Sequence, residues 1–386
     1  MRYESARLAD FSAVAEKERR RGFDTSFFVL VILLLTMGVV MVLSSSYARA
    51  YYDPGNITGG NAVYYFVRQL LFAVLGVAAM LLASRIPMGL YRRYAFHFLA
   101  VVLALLLLVP FVGVKANGAR RWLGVGGLTV QPSELAKLAV ILSFAALICR
   151  LRARMGTFRY GILPFGAILL VIVGLLVLEP HFSASVIIIA IGAAMLFLGG
   201  VRLGWFAAAF GAAGAGVAVL LTFFPYASSR INTWRDPFSS SSDEGYQIVQ
   251  SLYSIGSGGL SGLGLGGSRQ KFLYLPEEHN DFIFAVVCEE MGFIGAALIL
   301  VLFALLILRG YWIALHLPDR FGFLVCAGIT TLLAIQVFLN VAVVTNLVPC
   351  TGISLPFFSY GGTALLIELF EMGIILGASR DAVIAY

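Results

Sequence analysis

Residues 26–43 read Ser26-Phe27-Phe28-Val29-Leu30-Val31-Ile32-Leu33-Leu34-Leu35-Thr36-Met37-Gly38-Val39-Val40-Met41-Val42-Leu43. No residue in this run is charged, and its length approaches the roughly twenty residues that cross a bilayer as a helix. Lys17-Glu18-Arg19-Arg20-Arg21 precedes it, the flank of a cytoplasmic anchor. Ala48-Arg49-Ala50 mimics a cleavage site, but the run exceeds an ordinary signal-peptide core and reads as retained.

Apolar runs of this kind recur through the chain. The expected spans are about 26–46, 64–84, 95–113, 132–149, 161–179, 182–200, 203–224, 282–308, 322–347 and 358–378. The fold class is therefore all-α: a polytopic integral membrane protein with about ten transmembrane helices. Residues 1–25 form a cytoplasmic N-terminal segment, and 26–386 form one transmembrane domain. A transmembrane barrel would show short alternating segments instead. Composition agrees: of 386 residues, 60% are hydrophobic and 12% charged, with a mean hydropathy of +0.93. Too little polar surface is present to coat a soluble enzyme, and disorder is excluded more firmly still.

The net charge is +7. No soluble domain carries a basic face, so nucleic acid is not an expected partner. The charge instead reports topology. With the N-terminus inside, the cytoplasmic segments hold 17 Lys and Arg and the outer ones 8, which places both termini in the cytoplasm. Two outer loops break the pattern of short connections. One, about 114–131, carries Lys115, Arg120 and Arg121; the other, about 225–280 between helices 7 and 8, is the longest. Long loops are usually functional, and cations placed outside against the rule fit an anionic ligand. The cysteines, Cys149, Cys288, Cys326 and Cys350, form no CxxC pair and read as small apolar packers.

No nucleotide-binding, zinc-protease or nucleophile-elbow motif is present. Gly262-Leu263-Gly264-Leu265-Gly266-Gly267 satisfies GxGxxG literally but follows no strand, and reads as tight backbone turning. Ionisable residues at membrane depth are costly and functional by default. Glu134 and Lys137, three apart, share a helix face and can pair. Arg68 lies near the outer end of the second span. Glu289, Glu290, Glu368 and Glu371 fit ion pairs that lock helices, with a proton relay as the alternative. Pro276-Glu277-Glu278-His279-Asn280-Asp281 is the densest polar cluster. Asp281 stands at the mouth of the eighth span, where it suits either a helix cap or a general base. An outward-facing synthetic reaction has no ATP, so its substrate must bring a leaving group. A lipid-linked diphosphate sugar is such a substrate, and Arg and Lys would hold its phosphates.

Three stretches together resemble the SEDS family (FtsW, RodA and SpoVE) over nearly the whole chain from the first span onward. The first runs from Gly245-Tyr246-Gln247 through Ser268-Arg269-Gln270-Lys271 to His279-Asn280-Asp281-Phe282-Ile283-Phe284 and Glu289-Glu290. The second is Asn346 through Thr363. The third is Arg121-Trp122-Leu123-Gly124 with Gln131-Pro132-Ser133-Glu134-Leu135-Ala136-Lys137. The segment Ser268–Pro276 is closer to the FtsW/SpoVE branch than to RodA. The resemblance implies a multi-pass protein of the bacterial cytoplasmic membrane with its active site facing outward. It implies polymerisation of lipid II into peptidoglycan, a class B penicillin-binding protein as partner, and other division or elongation machinery around them.

The resemblance makes Asp281 the essential aspartate. It places Arg121, Trp122, Glu134 and Lys137 in the family's conserved elements; Arg121 and Lys137, with Arg235 and Arg269, are expected to hold the diphosphate, and Lys271, His279, Ser354 and Ser359 are further candidate substrate-binding residues. A divalent cation (Mg2+ or Mn2+) is expected to assist, without any nucleotide; Glu277, Glu278 and His279 are its conceivable ligands, against the simpler reading of an acidic turn. One departure stands out: where the family often reads Pro-Asp, this chain reads Pro180-His181. A flippase for the lipid-linked precursor, a RodA-like elongation polymerase and a non-catalytic scaffold are the alternatives.

Overall fold

The computed structural model describes residues 22–52, 57–116, 119–125, 128–209, 211, 232–239 and 243–382. Among the described residues, seven helices are long and apolar enough to cross a membrane. They are Thr25–Tyr52 (α1), Tyr64–Ala83 (α2), Met88–Val112 (α3), Phe158–Leu178 (a short α5, Phe158–Gly161, followed by α6, Leu163–Leu178), Phe182–Gly199 (α7), Ile283–Leu315 (α9) and Arg320–Val344 (α10). A helix keeps its backbone hydrogen bonds internal, which is what a bilayer demands, and α9 among these is interrupted by a non-helical residue inside it. Two further helices, Pro132–Leu151 (α4) and Gly362–Ala378 (α11), lie within the bundle and bury most of their side chains. The expected span 203–224 falls mostly outside the described residues; its start, 203–209, is helical.

Small residues set the helix spacing, as in other membrane bundles. Gly76 of α2 meets Leu369 of α11, and Gly373 of α11 sits against Met80 and Ala83 of α2. Gly38 of α1 lies on the backbone of Phe357, and Gly328 of α10 takes Met195 and Ile141. A side chain at any of these positions would push two elements apart.

The all-α expectation needs correction in one place. Val114–Ala116 (β1), Ala119–Val125 (β2) and Leu128–Val130 (β3) form an antiparallel sheet in the order β1-β2-β3. Val114 is opposite Trp122, and Leu123 opposite Val130. The short strands carry β-favouring Val114, Trp122, Val125, Thr129 and Val130, though Arg120-Arg121 and Trp122-Leu123 in β2 do not alternate. The loop expected at 225–280 is also not plain loop: Asp243–Gly258 (α8) is an amphipathic helix. It buries Ile248, Ser251 and Ser254 and exposes Tyr246 and Tyr253.

α9 is broken at Gly292, whose φ of 66° lies in the left-handed region. A break frees backbone groups that must find partners at membrane depth. Residues 259–264 supply them. Leu263 N donates to Glu289 O (2.9 Å) and Gly264 N to Glu290 O (3.0 Å), while Phe293 N donates to Gly259 O (2.9 Å). Gly262 (φ 78°) and Gly292 approach so closely that a Cβ on either would collide with the other strand's backbone. The glycine run thus turns the chain into the break.

The glutamates beside the break are fully engaged. Glu290 accepts from Lys271 Nζ (2.8 Å) and from Ser44 of α1 (2.7 Å). Glu289 accepts from Ser254 (2.9 Å), Ser268 (2.6 Å) and the Arg269 backbone N–H (2.9 Å). The locking role holds for Glu290, whose partner is a lysine. Glu289 is satisfied by hydroxyls and backbone instead.

Candidate active site

At the end of the bundle where α3 stops and α4 and α11 begin, a cavity of about 470 Å³ opens. The sheet, the loop 346–361 and residues 277–281 wall it. The opposite ends of α1, α9 and α11 are tied together by Asp24, which pairs with Arg309 (2.7 Å) and binds Ser379 Oγ through its backbone (3.0 Å).

Asp281 lines the cavity just before α9. It does not cap that helix: the N-cap is Phe282, with no side-chain hydrogen bond. Its place is fixed by backbone ties. Asn340 of α10 donates through one amide nitrogen to Asp281 O (2.8 Å) and Ile353 O (2.7 Å), clipping the two loops together. Tyr360 N donates to His279 O (2.9 Å), and Ser359 Oγ donates to Asn280 O (2.8 Å) while accepting from Leu355 N (2.7 Å). Burial pushes the Asp281 carboxyl up to about 7; Glu277 adds to the rise and Arg121 opposes it. A carboxyl tuned to that range can hold a proton and release it near neutrality.

Arg121 reaches the cavity from β2 and donates to Pro180 O (2.5 Å). Trp122, Glu134, Ser354 and Ser359 also line it, as expected. Lys137 stands behind Glu134, buried and paired with it at 2.5 Å, so the anticipated i,i+3 pair forms. The Ser359 hydroxyl is already committed to backbone, which makes it a support for the Asp281 loop.

Other expected ligands are elsewhere. Lys271 is buried against Glu290, outside the cavity lining. Arg269 is exposed and gives only its backbone N–H to Glu289; Arg235 is exposed and likewise apart from the cavity. The conceivable cation ligands also diverge. Glu278 is taken by Arg49 through two bonds of 2.8 and 3.0 Å. These and His279 hold its carboxyl below the usual range, against the opposing effect of burial. His279 packs between Tyr65 and Tyr360, with ring centroids 4.7 and 5.8 Å away. Only Glu277 of the three faces the cavity, so the trio does not fit a divalent cation.

The cavity gathers residues that sequence reasoning left out of the site. Arg68 comes from α2, its guanidinium 5.3 Å from the Tyr64 ring. Its charge at membrane depth was the available signal. Gln131, His181, Asn280 and Tyr360 join it. Thr363 of α11 donates to Thr129 O of β3 (2.9 Å) and fastens the sheet to the bundle. Glu368 lines the floor and accepts from Phe357 N (3.1 Å).

A many-spanning membrane bundle with a polar cavity at one end, holding a carboxyl of shifted proton affinity beside a guanidinium, defines a class of membrane-embedded proteins suited to a charged lipid-linked ligand. Comparison with known proteins narrows that class. The cell cycle protein model shared by FtsW, RodA and SpoVE matches residues 24–383, and the chain belongs to this family. It is 40% identical to stage V sporulation protein E of Bacillus subtilis over 360 residues, covering 92% of this chain and 97% of that protein. It is 38% identical to the probable peptidoglycan glycosyltransferase FtsW of Trichlorobacter lovleyi over 365 residues, 94% of each chain. Among solved structures, a chain of a peptidoglycan synthase complex that coordinates polymerisation and crosslinking superposes with a TM-score of 0.76 at 28% identity, covering 93% of this chain and 98% of that one. The rod shape determining protein RodA of Thermus thermophilus gives 0.65 at 28% identity, covering 94% and 98%.

Proposed function

We propose that this chain is a peptidoglycan glycosyltransferase that polymerises lipid II at the outer face of the bacterial cytoplasmic membrane. The observation that carries the reading is the placement of Asp281 and Arg121 in one cavity, the carboxyl raised to about 7 and the guanidinium within electrostatic reach of it. In the proposed step, Asp281 takes the proton of the acceptor sugar's 4-hydroxyl. The freed oxygen bonds to the donor's anomeric carbon with inversion, and the carbon–oxygen bond to the diphosphate breaks. Undecaprenyl diphosphate leaves with the electron pair. Arg121 and Arg68 hold its phosphates by charge-assisted hydrogen bonds. General-base help of this kind is worth about 10²–10⁴-fold. No step runs through a divalent cation, because Glu278 and His279 are occupied by Arg49 and the two tyrosines.

A class B penicillin-binding protein is the partner this reading calls for, since a glycan polymerase needs a crosslinking enzyme beside it. The likeness to a chain of a synthase complex supports that pairing. The SpoVE and FtsW relatives support work at a septum, in division or sporulation. Both termini lie in the cytoplasm in this reading, as the Lys and Arg distribution favours.

The test supplies purified protein with labelled lipid II, with and without the penicillin-binding partner. Wild type is expected to form polymer and Asp281→Asn to form none. Equal polymer from both would remove Asp281 as the base. Lipid movement across vesicles without polymer would mean a transporter.

A further inference from the structure

The end of the bundle opposite the cavity carries a charge that the proposed mechanism does not use. α4 ends there, the turn before α5 crosses it, and α7 finishes on it. Arg150, Arg152, Arg154, Arg159 and Arg202 fall in this region and are exposed. Between residues 150 and 205 the one carboxylate is Glu179, which follows α6 at the cavity end. Among the described residues none of the five arginines makes an ion pair. An excess of arginine on one side reports topology, but topology does not require the side chains to converge.

Three of them do converge. Met155 is buried against Gly199, the last residue of α7, where a Cβ would lie 3.2 Å from the methionine Cε. That contact seats the turn 154–160 beside the residues that follow α7. Thr157 Oγ1 donates to Arg154 O (2.8 Å) and Gly161 N to Thr157 O (2.7 Å), which closes the turn. The guanidinium carbons of Arg154 and Arg159 then stand 5.1 and 5.9 Å from the Tyr160 ring centroid. Arg202 Nε lies 3.4 Å from the point a Cβ on Gly156 would occupy. Three like charges around one turn repel one another, and an anion set among them turns that repulsion into attraction.

The surroundings identify the kind of anion. Phe158, Leu163 and Leu203 are 50%, 54% and 68% exposed beside these arginines, and the Phe158 and Trp205 rings meet at 5.1 Å. Exposed aromatic rings next to basic residues mark the headgroup level of a bilayer. A soluble phosphate would use the guanidiniums and leave the apolar collar in water. A phospholipid uses both: its phosphate takes charge-assisted hydrogen bonds, and its chains cover the leucines.

We infer that Arg154, Arg159 and Arg202 form a binding site for the headgroup of an anionic phospholipid, with Phe158 and Trp205 at its apolar edge. In the topology read above, the cytoplasmic leaflet supplies this lipid. The site rests on the bundle's place in a membrane and is independent of the reaction assigned to Asp281.

The test titrates the full chain in detergent with phosphatidylglycerol or with phosphatidylcholine of the same acyl chains, reading bound lipid by native mass spectrometry. Detergent has no sides, so the outcome does not depend on topology. Wild type is expected to hold phosphatidylglycerol at least tenfold more tightly. An arginine near an anionic headgroup is worth roughly fivefold, so joint Arg154→Gln, Arg159→Gln and Arg202→Gln should remove that preference. Joint Arg85→Gln, Arg92→Gln and Arg93→Gln takes the same charge from exposed positions at the same end, and should bind within about twofold of wild type. Melting temperatures without added lipid should agree within about 2 °C, as for other exposed substitutions. If the first triple variant melts early, Arg202→Gln alone carries the test, with an expected loss of about fivefold. Equal binding of the two lipids, or equal losses in the two triple variants, would overturn the site. So would displacement of the lipid by free glycerol 3-phosphate at matched concentration, which would mean a soluble-anion site.

Discussion

Gly352 and Asp281 touch with no room to spare: a Cβ at position 352 would lie 2.7 Å from Asp281 Oδ2. The glycine sits in the loop that Asn340 clips to the aspartate, so neither side can easily give way. Gly352→Ala should turn the carboxylate out of position and lower polymerisation by at least tenfold, because small misplacements of a reacting group are costly. Thermal stability should fall by no more than about 1–2 kcal/mol. A rate within twofold of wild type would show that the carboxylate has other productive positions.

The pH profile follows from the same carboxyl. A general base must be ionised, so with Asp281 at about 7, kcat/KM should fall about tenfold per pH unit below that value and level off above it. A profile flat from pH 5 to 8 would separate the rate from this residue.

Stability should move the opposite way. Folding lifts the Asp281 carboxyl from 3.8 to about 7, so the fold favours its neutral form. That contribution is full below about pH 4 and is lost as pH rises through 7, on a scale of roughly 4 kcal/mol. Asp281→Asn carries no such charge. Its melting temperature relative to wild type should therefore climb between pH 5 and 8, read by thermal unfolding in detergent. A constant difference would contradict the burial of the charge.

Lys271 should behave as a structural residue. Lys271→Ala strands Glu290 in the interior, which costs about 3–5 kcal/mol. Lys271→Met with Glu290→Gln should recover most of it. If Lys271→Ala melted normally and raised only the KM for lipid II, the lysine would belong with the substrate after all.

The spans were readable because lipid and protein interior are equally apolar, so each crossing leaves an unbroken run in the chain. Asp281, Arg121, Trp122 and Glu134 were readable as motifs, and the structure brings all four to one cavity. Arg235 and Arg269 were expected at the diphosphate by charge alone, and Lys271 was a candidate for substrate binding. A charge does not announce its partner: Lys271 is neutralised by Glu290, nineteen residues on, in the short arm of α9 before the break. The sheet escaped notice for a different reason. Its strands are too short to show periodicity, and the available signal was Asn117-Gly118 and Gly126-Gly127, dipeptides that tight hairpins favour. His181 read only as a departure from a pattern. That it stands beside Gln131, fifty residues earlier, is a property of the fold.

The break at Gly292 divides α9 into parts with different obligations. Phe293–Leu315 extends about 35 Å at 1.5 Å per residue, enough to span hydrocarbon unaided. Ile283–Met291 is too short to span and is held by the 259–264 loop instead. Helices tilt to match the thickness of the bilayer around them. Here the same loop also holds the long arm, through Phe293 N to Gly259 O and Ile294 N to Leu260 O, so a tilt of that arm bears on the 259–264 loop before it can reach Asp281.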